Sequence, residues 1–134
     1  MYKKVMVAVD GSEIAKQALS EAVNIVNTYN AILCIVHCVG DENENDMKKG
    51  NEILEQAKSE TDALSVETRL LNAEVEYGLN GIAEAIAGAV YDWKADLLVV
   101  GTSNRRGLER FYVGSVAEQL VTKVDSSILL VRPK

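Results

Sequence analysis

Apolar residues along the chain fall into two patterns, short runs and stripes of helical spacing. The short runs are rich in Val, Ile and Leu, and runs of this kind predict strands rather than helices. The five predicted strands span residues 5–9, 31–39, 66–71, 95–100 and 127–131, and the third differs in that apolar and polar residues alternate, which fits a half-exposed strand. The stripes repeat an apolar residue with the helix period. They span residues 14–26, 53–64, 79–90 and 116–124. The pattern therefore predicts a regular alternation of strand and helix.

This alternation predicts an α/β fold with a mostly parallel sheet, because right-handed crossovers place helices on both faces. The first and fourth runs are the most apolar, so we expect them at the centre. A chain that winds outward through strands 2 and 3, and then returns to place strand 4 on the other side of strand 1, has the order 3-2-1-4-5. The expected architecture is a three-layer open sheet with a switch point between strands 1 and 4, where ligands bind beyond the carboxyl ends.

The segment GDENENDMKKG, residues 40–50, is polar apart from Met47 and its two terminal glycines. We expect a loop at its start, with the acidic stretch 41–46 solvated, and Ile53, Leu54, Ala57 and Leu64 predict the second helix. The sequence has no linker, internal repeat or low-complexity tract. We therefore expect a single domain over residues 1–134, a length that can bury a substantial core.

The segment GTSNRRGLERFYVGS, residues 101–115, predicts a phosphate-binding loop between the fourth strand and the last helix. Glycines let backbone N–H groups approach phosphate oxygens, and a helix start adds unpaired donors. Arg105, Arg106 and Arg110 put positive charge here in a chain whose net charge is −6, which favours an anionic ligand. Ser115 and Glu118 also form a capping-box pattern, so we expect the helix to begin there.

Asp10, in the segment VDGSE, ends the first strand. Its carboxylate is suited to bind a ribose hydroxyl or a divalent cation that bridges to phosphates. Asp10, Gly11 and Ser12 also have the residue types that turn a chain and cap a helix. Both interpretations stay open, and the predicted switch point brings Asp10 to the same crevice as residues 101–115.

Composition excludes several classes of function. The acidic balance and few aromatic residues argue against nucleic-acid binding. No apolar segment approaches the roughly 20 residues that span a bilayer, and the run after Lys3 and Lys4 is too short for a signal peptide. We expect a cytoplasmic protein with no membrane contact. Cys34 and Cys38 are too far apart along one strand to form a disulfide, and we expect His37 to be a hydrogen-bonded structural side chain.

The residues MYKKVMVAVDGSEIAKQAL, HCV at 37–39, GTSNRRGLERFYVGSVAEQLV and SSILLVRP resemble the universal stress protein family. The resemblance covers nearly the whole chain and is weaker between residues 40 and 75. It implies an adenine nucleotide alpha hydrolase-like fold, and a homodimer through the C-terminal strand at 127–132. Its nucleotide-binding branch carries the pattern G-x2-G-x9-G-(S/T), which wraps ATP phosphates.

Matching this pattern residue by residue implies a set of ligand contacts. Asp10 contacts ribose or a bound Mg²⁺ or Mn²⁺ ion, Val9 flanks the base, and the backbone of Cys38 lies at the adenine edge. The resemblance implies phosphate contacts, or a place in the phosphate loop, for Gly101, Asn104, Arg105, Gly107, Gly114, Ser115 and Val116.

Asn104 stands where the family pattern has its second glycine. If that glycine is needed for a positive φ angle, asparagine is the best substitute. If it is needed for close approach of a phosphate, the asparagine side chain obstructs it, and the site favours a shorter ligand such as AMP.

Our leading interpretation is a stress-response sensor or regulatory module that binds ATP or AMP. The alternatives are a dimeric stress-protein scaffold that binds no nucleotide and a slow ATP hydrolase. The sequence has no G-x-S-x-G, Walker or G-x-G-x-x-G motif at the relevant positions.

Overall fold

A parallel sheet forms the middle layer of the computed structural model, which describes residues 2–40, 44–63, 65–73, 78–102 and 109–133. The strands are β1 (Lys4–Ala8), β2 (Ile32–Val39), β3 (Val66–Asn72), β4 (Leu97–Gly101) and β5 (Ser127–Val131). The helices are α1 (Glu13–Tyr29), α2 (Glu44–Ser59), α3 (Gly78–Trp93) and α4 (Glu109–Lys123). Neighbouring strands are parallel in the order β3-β2-β1-β4-β5. The predicted fold class and strand order are confirmed.

Two apolar layers hold the sheet between the helices. On one face, Val7 and Ile35 are fully buried in a cluster with the apolar side of α1 and with residues of α2. On the other face, Met6, Cys34 and Leu98 are fully buried against α3 and α4. Because both faces of β1 and β4 are covered, β4 and the part of β1 after Lys4 are continuous apolar runs, which is typical of parallel sheets.

Helix α2 begins at Glu44, so the prediction of a solvated loop over residues 41–46 was wrong from Glu44 onward. Glu44 and Asp46 lie in the first turn, where negative charge interacts favourably with the helix dipole. The buried positions of this helix are Gly50, Leu54 and Ala57. Its contact with the sheet therefore depends partly on a glycine, which an apolar stripe does not reveal.

Helix α4 begins at Glu109, so the predicted start near Ser115 was also wrong. The backbone at Gly114 and Ser115 is helical, and Ser115 is not the N-terminal cap. A glycine inside a helix costs about 1 kcal/mol relative to alanine, which is too little to stop a helix that has no proline. The capping-box pattern at Ser115 and Glu118 therefore does not mark the helix start.

Candidate functional site

A cavity of about 350 Å³ lies where β1, β2 and β4 end, between α1, α3 and α4. This is the predicted switch point. Its walls are mainly apolar and include Ile82 and Ile86 of α3 and Leu120 of α4. Asp10, Ser12 and His37 bring polar side chains to the lining. An apolar cavity with a few polar groups is typical of a small-molecule site.

The cavity brings together residues that are far apart in the sequence. Five of the predicted site residues line it, namely Val9, Asp10, Cys38, Gly101 and Val116. Three others, Asn104, Arg105 and Gly107, lie outside the described residues. Gly114 and Ser115 are described only as backbone within α4. The apolar wall from α3 was not predicted, because its residues are indistinguishable in sequence from other members of a helical stripe.

Asp10 organises the turn that leads from β1 into α1. Its Oδ1 accepts hydrogen bonds from the Ser12 N–H at 3.0 Å and the Ser12 hydroxyl at 2.5 Å. Gly11 has a φ angle of +86°, which favours glycine. Ser12 caps α1 by accepting from the Ala15 N–H at 3.3 Å. The predicted turn and cap are confirmed.

The same geometry leaves part of the Asp10 carboxylate for a ligand. Asp10 is exposed and lines the cavity. Both hydrogen bonds from Ser12 use Oδ1, and Oδ2 accepts none from the part of the chain that the structure describes. The turn therefore fixes the orientation of the carboxylate and keeps one oxygen available as an acceptor.

Gly101 lets the end of β4 approach the first turn of α1 closely. A Cβ at this position would lie 2.8 Å from Ile14 Cγ1, 3.0 Å from Ile14 O and 3.2 Å from Ile14 C. The positive φ angles of the described residues do not include Gly101, so the position does not need a left-handed backbone. The missing side chain is required here by packing between the strand and the helix.

The ladder between β1 and β2 ends inside the cavity. Within β2, Ile32 and Val36 form backbone hydrogen bonds with the β1 side, whereas Leu33 and Val39 form them with the β3 side. Even-numbered residues of β2 therefore direct their N–H and C=O groups toward β1. Since β1 ends at Ala8, the peptide groups of Cys38 point past the end of that strand and toward the crevice.

The two cysteines are free, as the sequence predicted. Cys34 is fully buried, and burial raises the pKa of its thiol from 9.0 to about 11. Burial likewise raises the pKa of the Cys38 thiol from 9.0 to about 11. A thiol that keeps its proton at neutral pH is a poor nucleophile, so Cys38 contributes to the crevice as backbone and as a small apolar side chain.

His37 is hydrogen bonded, as expected. Its Nδ1 lies 2.7 Å from Val9 O. Among the described residues, no three side chains of His, Cys, Asp or Glu come together as a metal cluster. Nor does the described part of the chain contain a helix that is both long enough and apolar enough to cross a membrane.

Comparison with known proteins gives one consistent result. The sequence pattern of the Universal stress protein family matches residues 1–132. A universal stress protein of Methanocaldococcus jannaschii is 27% identical over 146 aligned residues, which cover 98% of this chain and 83% of that protein.

Solved structures share the fold. A universal stress protein in complex with cAMP superimposes with a TM-score of 0.80 at 24% identity, covering 97% of both chains. The universal stress protein from Archaeoglobus fulgidus in complex with dAMP gives a TM-score of 0.73 at 22% identity, covering 97% of this chain and 98% of that one. These neighbours share the fold of this chain.

Proposed function

Since this chain belongs to the universal stress protein family, we propose that its crevice binds an adenine nucleotide and that the protein is a stress-response sensor or regulatory module. Two structural neighbours are complexes with cAMP and dAMP, which supports a ligand that combines adenine, a sugar and one phosphate. Adenine nucleotides are abundant in the cytoplasm, where cysteines stay reduced. The free thiols of Cys34 and Cys38 fit that compartment.

The single observation that carries the proposal is the orientation of the Cys38 peptide. Its N–H and C=O groups point past the end of β1 and into the crevice, beside a wall of Ile82 and Ile86. One edge of adenine has an acceptor nitrogen next to an amino group, which complements one N–H and one C=O. The apolar wall suits the faces of the base, and burying them is favourable.

Asp10 is the proposed ribose contact. A ribose hydroxyl donates to Oδ2, while Oδ1 stays bonded to Ser12. Asp10 alone cannot complete the coordination of Mg²⁺ or Mn²⁺, because the described residues supply no cluster of further ligands. We therefore propose that a metal ion enters only with the nucleotide, bound between Asp10 and the phosphate oxygens.

The phosphate position is proposed at the amino-terminal part of α4. Val116 lines the cavity, and Gly114 and Ser115 precede it in the same helix. Asn104, Arg105 and Gly107 are proposed to complete the phosphate contacts. The number of phosphates depends on Asn104, so AMP and ATP are both candidate ligands.

A thermal-shift series with AMP, ATP and cAMP tests the proposal, with GMP as a matched control for the base. Stabilisation follows the ratio of ligand concentration to dissociation constant and reaches about 2.7 kcal/mol when that ratio is 100. We expect AMP to raise the melting temperature and GMP to raise it less. An unchanged melting temperature at millimolar AMP, ATP and cAMP contradicts nucleotide binding.

Asp10→Asn tests the ribose contact, because asparagine keeps an oxygen that can accept from Ser12 but carries no charge. We expect the Kd for AMP to rise roughly tenfold or more, the effect of losing a hydrogen bond to a charged group. Asp92→Asn is the matched control, since Asp92 is exposed in the last turn of α3, at the other end of the sheet. Equal affinities for the two variants would refute the contact.

We also propose that the protein forms a homodimer through residues 127–132. In the described structure, β5 is an edge strand that pairs with β4 alone. It carries Leu130 with 39% of its surface exposed, and exposed apolar edge strands favour pairing with another chain. Light scattering should give the mass of a dimer for the wild type and of a monomer for Leu130→Lys. A monomeric wild type excludes this proposal.

A further inference from the structure

The side chain of His37 occupies the place of the next backbone hydrogen bond, or rung, of the ladder between β1 and β2. The Val9 N–H donates to Val36 O at 2.9 Å, and a regular parallel ladder continues with the next N–H, that of Cys38, donating to Val9 O. In the described residues, the register between β1 and β2 ends at Ala8 and Val36. The Val9 carbonyl lies instead 2.7 Å from His37 Nδ1. Because a carbonyl only accepts, Nδ1 carries the proton of this bond.

The imidazole ring is held against Val9 by its surroundings. On β3, Leu70 is the register partner of His37. On α2, the buried Gly50 comes so close that a Cβ there would lie 3.3 Å from His37 Cδ2 and 2.7 Å from Leu70 Cδ1. Tightly packed side chains do not change position without moving their neighbours. The ring therefore cannot leave Val9 freely, and the absence of a side chain at Gly50 is part of what keeps it there.

We infer that His37 is a positioning residue that ends the ladder between β1 and β2 one rung early and thereby leaves the Cys38 peptide available to the base of the ligand. The first part of this inference, that His37 ends the ladder early, depends only on hydrogen bonds within the protein. The second part, that the Cys38 peptide is thereby available to the base, rests on the proposed function. Without the imidazole, Val9 O and the Cys38 N–H are the remaining register partners. The ladder would then extend and close the edge that the base uses.

Two variants separate the hydrogen bond from the bulk of the ring. His37→Phe keeps an aromatic ring but removes the donor. His37→Asn keeps an N–H donor on the atom that corresponds to Nδ1 but removes most of the ring. Amide hydrogen exchange at Cys38, followed by NMR without ligand, measures whether the rung forms. Kd values for AMP and for ribose 5-phosphate, which has no base, measure the consequence for binding.

We expect exchange at Cys38 to slow roughly three- to tenfold in H37F, the range that one net hydrogen bond gives. AMP should bind more weakly by a similar factor, while ribose 5-phosphate is unaffected. H37N should resemble the wild type in both measurements. Unchanged exchange at Cys38 in H37F, or equal loss of AMP affinity in H37F and H37N, overturns the inference.

Two further outcomes are decisive. If the wild type binds no AMP, the proposed function fails, and the exchange rates alone decide whether His37 ends the ladder. If H37F does not fold, the wild type still gives the answer through a comparison of two amides in β2. Exchange at Cys38 that is faster than at Val36 supports the inference, and equal protection of the two amides overturns it.

Discussion

Replacing Gly101 with alanine tests whether the end of β4 requires close packing against α1. The new Cβ would lie 2.8 Å from Ile14 Cγ1 and 3.0 Å from Ile14 O. The side-chain atom can move by rotation, but the carbonyl oxygen belongs to the first turn of α1. Relief therefore requires this turn to shift, together with the Asp10 and Ser12 positions before it.

The magnitude follows from the cost of overpacking, which is typically about 1–3 kcal/mol in a well-packed core. Unfolding entropy near 60 °C is about 2.1 cal/mol/K per residue, so for 134 residues each kcal/mol lowers Tm by about 4 °C. We expect Gly101→Ala to lower Tm by roughly 4–11 °C. Because the strain is released at the turn that orients Asp10, we also expect weaker AMP binding.

Gly88→Ala is the matched control for this substitution. A Cβ at Gly88 meets no atom within 4 Å, and Gly88 is exposed within α3. Alanine is better than glycine in a helix by about 1 kcal/mol, so this variant should be as stable as the wild type or more stable. Calorimetry and urea denaturation measure both variants. A Gly101→Ala protein within about 0.5 kcal/mol of the wild type, the usual range for surface substitutions, would refute the packing argument.

Three further predictions address the turn, helix α2 and the buried thiol. Ser12→Ala removes the cap of α1 and should cost about 1 kcal/mol in urea denaturation, whereas Ser20→Ala on the exposed side of the same helix should cost less; equal costs argue against the cap. Gly50→Ala places a Cβ 2.7 Å from Leu70 Cδ1 and 2.8 Å from Val39 Cγ1, both side-chain atoms rather than backbone, and alanine gains about 1 kcal/mol over glycine in a helix. Its loss of stability in urea should therefore be smaller than that of Gly101→Ala, and a larger loss would contradict this. For Cys34, burial raises the pKa of the thiol from its ordinary value of 9.0 to about 11 in the folded state, so the unfolded state loses its proton first and stability should fall as pH rises from 9 to 11. Cys34→Ala should show a shallower decline, and an unchanged slope rejects this origin.

The fold was predictable because burial on both faces leaves a strong pattern. After Lys4 in β1, and throughout β4, consecutive residues face opposite helix layers and none is polar, so the strands stand out as unbroken runs. Helix α2 was partly missed for the opposite reason. It packs through Gly50, Leu54 and Ala57, and Met47, the large apolar residue of its first two turns, is exposed.

The start of α4 shows where a local motif fails. Ser115 and Glu118 have the spacing of a capping box, yet α4 begins at Glu109. A capping-box pattern shows that a helix can begin at a serine, but it does not require the helix to begin there. A glycine inside a helix has a modest cost, so α4 can extend through Gly114 toward the amino terminus. Local preferences of this size are readily outweighed by the packing of the rest of a helix.

The candidate site was only partly predictable, because some of its residues stand out in the sequence and others do not. Asp10 and Gly101 carry residue types that stand out beside apolar runs, and the predicted topology brought them to one crevice. The bond of His37 to Val9 links residues 28 positions apart, and no local pattern announces a hydrogen bond of that kind. The apolar wall of α3 was hidden for a related reason, since residues that face a cavity and residues that face the core have the same spacing.

The residues that most resemble ligand-binding residues all have a second use in the fold. Gly101 allows β4 to meet α1, Gly11 supplies a left-handed turn, and Asp10 Oδ1 organises Ser12. Their presence would be explained even if no ligand existed. Among the described residues, the polar groups that the fold does not use are Asp10 Oδ2 and the peptide groups of Cys38, and these groups favour a ligand. Cys38 is half-buried, and polar groups away from water are normally satisfied by a partner, which at the end of a parallel sheet is a ligand or water. Asp10 is exposed, so its Oδ2 is hydrated until a ligand binds. A ligand that bonds to both groups at once must span the distance from a carboxylate to a peptide edge, which is what a base attached to a sugar does and what a free phosphate cannot do.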